Sequence, residues 1–306
     1  VPTTAEVLTV GETMVLVAPS IAEPLESATA FHLDPGGAES NVAAHLAALG
    51  TPAAWAGAVG DDALGRRLVA QLAARGVDTG LVRRDPGAPT GLYVKDPGHG
   101  VQYYRAGSAA SRLDAGFAAS LPLTGVRLLH LTGITPALSA SCDALVDALF
   151  DRAAVAGVPV SFDVNHRAAL WPSTDAASRR LLALASRADL VFVGLDEAEG
   201  LWGTASPDEV RALLPRPGTL VVKDGAVGAT AFERDRGADA PAADAVVHEP
   251  ALVARAVELV GAGDAFAAGY LHALLAGAPA AERLRAGHAR AVLTIADTAD
   301  FPRGTP

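Results

Sequence analysis

Only one of the 306 residues, Cys142, is a cysteine. A single thiol excludes a disulfide framework within the chain and any cysteine-based zinc site, and it suits a reducing compartment. Lysine is nearly absent: Lys95 and Lys223 are the only two, and arginine supplies the remaining basic side chains. With 24 basic against 34 acidic residues the net charge is −10. That balance argues against nucleic acid or an anionic membrane as a partner. No stretch approaches the run of about 18 apolar residues that a membrane helix needs. The first residues lack a charged segment followed by an apolar one, so no signal peptide is expected, and the cytoplasm is the expected location.

What is present is an apolar, glycine-punctuated chain. A chain of this length buries roughly three quarters of its unfolded surface, so its core needs no staple. Val7–Val10, Ala53–Val59, Leu128–Thr132, Val158–Val164, Leu190–Val193 and Leu220–Lys223 read as strands. Residues 40–49, 64–74, 139–156, 174–186 and 207–214 read as helices, and several stop at a glycine. Ala229–Glu233 and Val246–Glu249 read as short strands, and helices are expected at 264–276, 279–287 and 288–297. Apolar strands alternating with helices predict an α/β fold, a mostly parallel central sheet covered on both faces. Two segments break the rhythm. Residues 13–34 and 88–112 read as β-strands projecting as a lid, with a hairpin turning across Asp96-Pro97-Gly98-His99. Arg234–Asp244 reads as a loop. No internal repeat or long linker divides the chain, so residues 1–306 are taken as one domain.

The most informative stretch is Gly261-Ala262-Gly263-Asp264, which opens a helical pattern. Small residues at a helix start leave N–H groups open to an anion. An acid in that place makes sense if it accepts a proton from a group attacking a phosphate. The alternative is a helix cap after a tight turn. A dinucleotide-binding motif is disfavoured, because Phe266 occupies the position of the third glycine.

With Gly36-Gly37-Ala38-Glu39-Ser40-Asn41 some 220 residues earlier, and with the lid pattern, the chain resembles the ribokinase-like (PfkB) carbohydrate kinases. Thr90–Tyr93, Tyr103–Ala109, Leu131–Ser139 and Asp163–Arg167 are most similar to the 2-keto-3-deoxygluconate kinase branch. The resemblance implies ATP and Mg²⁺ as cofactors, with a monovalent cation such as K⁺ also in view. It implies a sugar-acid substrate, and a homo-oligomer formed through the lid. It makes Asp264 the catalytic base, with the Gly261, Ala262 and Gly263 amides facing the phosphoryl group. It puts Gly37, Asn41, Tyr93, Tyr103, Arg105, Ile134, Arg167 and Asp300 near the sugar, Arg105 and Arg167 toward its acid end. Lys223, Gly225, Gly228, Gly261, Gly263 and His288 would bind nucleotide. Glu197 would hold Mg²⁺ through water, although Gly194 stands where relatives carry Asn. Many neutral-sugar members place an Asp just after the first strand. Here Gly11-Glu12-Thr13 follows, and the lack of Asp disfavours fructose or ribose, since a polyhydroxylated ring needs buried acceptors. A kinase of a neutral sugar or nucleoside remains the alternative, and a non-catalytic sugar-acid sensor is disfavoured by the intact Asp264.

Overall fold

The computed structural model describes residues 4–21, 23–234, 244–252, 260–295 and 301. In the first half, β1 (Val7–Val10) leads into β2 (Met14–Pro19), β3 (Phe31–Gly36) and α1 (Ala38–Ala48). Then come β4 (Ala53–Ala56), β5 (Ala58–Gly60), α2 (Ala63–Ala74), β6 (Arg83–Asp85), β7 (Leu92–Asp96), β8 (Gly100–Tyr104) and α3 (Ala115–Ser120). The second half alternates: β9 (Leu128–Thr132), α4 (Ala140–Ala156), β10 (Val160–Asp163), α5 (Thr174–Ala185), β11 (Leu190–Gly194) and α6 (Leu195–Trp202). It closes with α7 (Pro207–Leu213), β12 (Thr219–Asp224), β13 (Gly228–Glu233), β14 (Ala245–Pro250), α8 (Ala262–Leu275) and α9 (Ala280–Ile295).

The central sheet has eight strands in the order β14-β13-β12-β11-β10-β9-β1-β4. From β12 to β4 every pairing is parallel, and β13 and β14 add an antiparallel edge. Successive side chains of a strand point to opposite faces. Accordingly Leu129, Leu131, Val191 and Val193 pack with α4 and α5 residues such as Leu149 and Leu181. Leu128, Leu190 and Phe192 pack on the other face with Leu46, Phe266 and Tyr270. Phe192 meets the edge of Tyr270, ring centres 5.4 Å apart. Helix starts follow local chemistry: Ser139 caps α4 at the Cys142 N–H (3.1 Å), and Asp62 caps α2 at the Gly65 N–H (2.7 Å). Gly157 ends α4 in the left-handed conformation, φ 66°.

The lid is a separate four-stranded sheet, β3-β2-β7-β8. β7 and β8 form the expected hairpin, and β2 leaves β1 through Gly11-Glu12-Thr13. One of its faces buries Met14, Leu16, Ala18 and Tyr93. Two expectations are corrected. Ala53–Val59 is not one strand but two, β4 and β5, because the chain changes sheets at Gly57; a Cβ there would lie 2.6 Å from the Gly11 carbonyl oxygen. The last two expected helices are one, α9, which runs straight through Gly287 because Phe266 packs against its bare backbone. Most of the Arg234–Asp244 stretch lies outside the described residues.

Candidate active site

The strands β1, β9, β10, β11 and β12 run parallel, so their carboxyl ends share one edge of the sheet, where open α/β folds bind ligands. Along it lie Glu12 after β1, Ile134 after β9, Asn165 and Arg167 after β10, Glu197 after β11, and Lys223 near the end of β12. Helix α8 starts at the same edge. Gly261 caps it with φ 84°, a left-handed turn that glycine adopts without strain. Asp264 sits in the first turn, only 8% exposed. The Asn41 side-chain amide donates to its Oδ2 at 2.9 Å, and the Asn165 amide to its Oδ1 at 3.3 Å. Residues 41, 165 and 264 thus meet at one carboxylate, beside a helix start that favours negative charge.

Behind Asp264 lies a buried charge cluster. Lys223 Nζ donates to Asp163 Oδ2 at 2.9 Å and comes within 3.5 Å of where a Cβ on Gly263 would sit. Burial opposes the charge of Lys223, but Asp163 and then Glu197 outweigh it and hold the ammonium above its ordinary value. Glu197 accepts from the His166 N–H (2.8 Å) and the Gly194 N–H (2.9 Å), tying β10 to the start of α6. Burial raises its carboxyl, with Lys223 pulling the other way. The β12–β13 turn has Gly225 at φ 46° and Gly228 at φ 146°, both positions where a side chain would be strained. A Cβ on Gly228 would meet the Glu249 carbonyl oxygen, and His288 Nε2 lies 3.2 Å from that same oxygen. Burial lowers the His288 pKa and so favours the neutral ring. Its edge faces Phe266 at 5.1 Å. The nucleotide candidates therefore form one strip, from the start of α8 across β12 to α9.

On the lid side, Tyr93 and Tyr103 are directly paired across β7 and β8, and their rings stack at 5.7 Å. Tyr93 is buried, while Tyr103 is half exposed and lies under the Arg105 guanidinium. The Arg105 Nη2 donates to Glu12 Oε2, and Ser108 donates to Glu12 Oε1 at 3.1 Å. Arg105 Nε is buried without a partner. Gly37 joins lid to core where a Cβ would lie 2.8 Å from Thr13 Cα. Ile134 N–H donates to Thr132 Oγ1 at 3.2 Å, and Arg167 is exposed, bonded to the His166 carbonyl. Asp300 lies outside the described residues.

Sequence reasoning passed over Glu12 and Asn165. No Asp follows β1, as expected, but Glu12 puts a buried carboxylate there, one methylene longer, with its oxygens engaged by Arg105 and Ser108. Its signal was its place at a strand's carboxyl end. Asn165 showed only as part of the Asp163–Arg167 stretch, since its role depends on a partner 99 residues away.

Among the described residues no group of three or more His, Cys, Asp or Glu side chains forms a metal cage. Mg²⁺ does not require one; it keeps several waters and takes one or two carboxylates beside substrate phosphates. Asp163 Oδ1, a buried acceptor without a partner, and Glu197 are acidic groups that fit such an ion near the α8 start.

Comparison with known proteins gives concordant results. Residues 4–300 match the family described as pfkB family carbohydrate kinase. The 2-dehydro-3-deoxygluconokinase of Bacillus subtilis (strain 168) is 32% identical over 97% of this chain and 91% of its own length. Fructokinase-1 of Oryza sativa subsp. japonica is 34% identical over 88% of this chain and 83% of its own length. The crystal structure of 2-dehydro-3-deoxygluconokinase from Thermotoga maritima superposes with a TM-score of 0.82 at 25% identity, covering 97% of this chain and 94% of that one.

Proposed function

The chain belongs to the pfkB family of carbohydrate kinases, and from that premise we propose that it transfers the γ-phosphoryl group of ATP to the 6-hydroxyl of 2-keto-3-deoxygluconate. The observation that carries this is the buried Asp264 carboxylate in the first turn of α8, accepting from the Asn41 and Asn165 amides. Asp264 takes the proton of the attacking hydroxyl. The N–H groups of Gly261, Ala262 and Gly263 hold charge building on the phosphoryl group, and fixed donors of this kind often contribute more to catalysis than any other single effect. Lys223 adds a full positive charge behind Gly263. Gly225, Gly228 and His288 line the nucleotide strip. Bound near Asp163 and Glu197, Mg²⁺ would offset phosphate charge. The lid brings Tyr93, Tyr103 and Arg105 over the sugar and keeps water, a competing nucleophile, away.

The sugar-acid assignment rests on Arg105. Its guanidinium has a buried, unpartnered Nε, and an arginine can grip a carboxylate through two parallel hydrogen bonds. Arg167, exposed at the same edge, supplies a second positive charge to that end of the substrate. Glu12 favours a second possibility, a kinase of a neutral sugar such as fructose, because a buried carboxylate after β1 can accept from hydroxyls.

A coupled assay with ATP and Mg²⁺ separates them. The purified protein is given the keto acid, its C4 epimer, fructose, ribose and adenosine, and ³¹P NMR locates the new ester. The keto acids should exceed fructose in kcat/KM by on the order of 100-fold or more, since a site built for a charged group rejects an analogue lacking it. Turnover of fructose without the keto acids would overturn the assignment.

A further inference from the structure

We propose that Asn165 is a positioning residue for Asp264, holding the carboxylate aimed and ionised for proton abstraction. This rests on Asp264 being the base. Asn165 has φ 39° and is the one non-glycine residue with positive φ among those described. Such a conformation is uncommon for any residue with a Cβ and persists where the surroundings over-determine it. Here they do. Two residues before it, Asp163 is tied to Lys223 at 2.9 Å; one residue after it, the His166 N–H is tied to Glu197 at 2.8 Å. The turn between these two anchors aims the Asn165 amide at Asp264 Oδ1, while Asn41, from the first turn of α1, holds Oδ2. The charge cluster behind the site thus fixes, at both ends, the turn that carries Asn165 to the base.

The choice of donor matters chemically. A general base must be ionised and still basic. A neighbouring arginine or lysine bonded to Asp264 would favour ionisation but take basicity away; a neutral amide favours the charged form more gently. Asn165 also suits the backbone, because asparagine tolerates the left-handed region better than most residues.

The test compares Asn165→Gly, Asn165→Asp and Asp264→Asn as full-length enzymes. Glycine accepts the same backbone conformation without strain, so Asn165→Gly removes the donor while the fold is kept; a thermal melt at or above the parent's checks this. Its kcat should fall roughly 10-fold with KM for sugar and ATP within about 2-fold, and the acidic limb of its kcat/KM profile should move up by on the order of one pH unit. Asn165→Asp, which faces Asp264 with a like charge, should move that limb further. If both folded variants leave the limb in place, or if Asn165→Gly raises KM alone, the proposal fails. Asp264→Asn keeps the two outcomes apart. Turnover surviving in that variant would remove the base itself, whereas a dead Asp264→Asn with an unmoved Asn165→Gly profile would sink only the role of Asn165.

Discussion

Arg105, just past the last lid strand, donates a hydrogen bond to the buried carboxylate of Glu12, just past the first core strand. Glu12 side-chain exposure is 1% and that of Arg105 is 13%. Burial raises the Glu12 carboxyl, and the charge of Arg105 is the first thing to oppose that rise. Removing the arginine strands a buried acid. Arg105→Ala should lose about 3 kcal/mol of stability in urea unfolding at neutral pH. Adding Glu12→Gln to that background should restore most of it. Equal stabilities for Arg105→Ala and the parent would show that Glu12 is already neutral or solvated.

The same arginine distinguishes substrates. With a carboxylate ligand on the guanidinium, Arg105→Ala should lower kcat/KM on the keto acid by on the order of 100-fold or more, the loss expected for a charge-assisted contact. Loss on fructose should be within about 10-fold. Matched losses would mean that Arg105 serves the lid rather than the acid group.

Lys223 is largely buried and holds Asp163. Lys223→Met preserves length and apolar stem but leaves Asp163 and Glu197 without their cation. Stability should fall by about 3 kcal/mol, and KM for ATP should rise at least several-fold while KM for the sugar stays near the parent value. A variant that loses stability but keeps its ATP KM would confine Lys223 to a structural role.

The hinge between lid and core is steric. At Gly37, φ is −174°, extended backbone open to any residue, so conformation alone does not require glycine. Space does: a Cβ would run into the Glu12 carbonyl oxygen and the Thr13 backbone. At Gly36 a Cβ would meet the ring of Tyr93, a side chain rather than backbone. Gly37→Ala should therefore reduce kcat/KM more than Gly36→Ala, by at least about 10-fold, as expected when a misplaced element disturbs the reacting geometry. Steady-state kinetics on both variants checks the order.

The alternation of strands and helices was legible because the central strands are mostly apolar and several helices end at a glycine. Glycine also misled. Gly287 looked like a break between two helices, yet α9 passes through it, since what it provides is room for Phe266 rather than a turn. Gly57 looked like part of a strand, yet it is where the chain leaves one sheet for another. Asp264, Asn41 and Lys223 stood in recognisable local patterns. The Glu12–Arg105 contact spans 93 residues and the Asn165–Asp264 contact 99. Neither leaves a local spacing in the sequence, because only the assembled sheet brings its strand ends together.

Glu39 offers a pH-dependent test of the core beneath the hinge. It lies in the first turn of α1, fully buried, its Oε1 accepting from Thr132 (2.7 Å) and Thr135 (2.8 Å). Oε2 has no hydrogen-bond partner. Burial pushes the carboxyl up from 4.5 to about 6, and the threonine hydroxyls only partly counter it. The folded protein thus binds this proton more tightly than the unfolded chain does. The stabilising contribution is fully present below pH 4.5 and is lost as pH rises through about 6. A shift of this size corresponds to about 2 kcal/mol. Glu39→Gln keeps an acceptor for the two threonines and has no charge to bury. Relative to the parent it should gain up to about 2 kcal/mol between pH 4.5 and 7.5, read as the difference between paired urea unfolding curves. Titrations shared by both proteins cancel in that difference, so a gap that stays constant across the range would mean that the ionised Glu39 is already compensated where it sits.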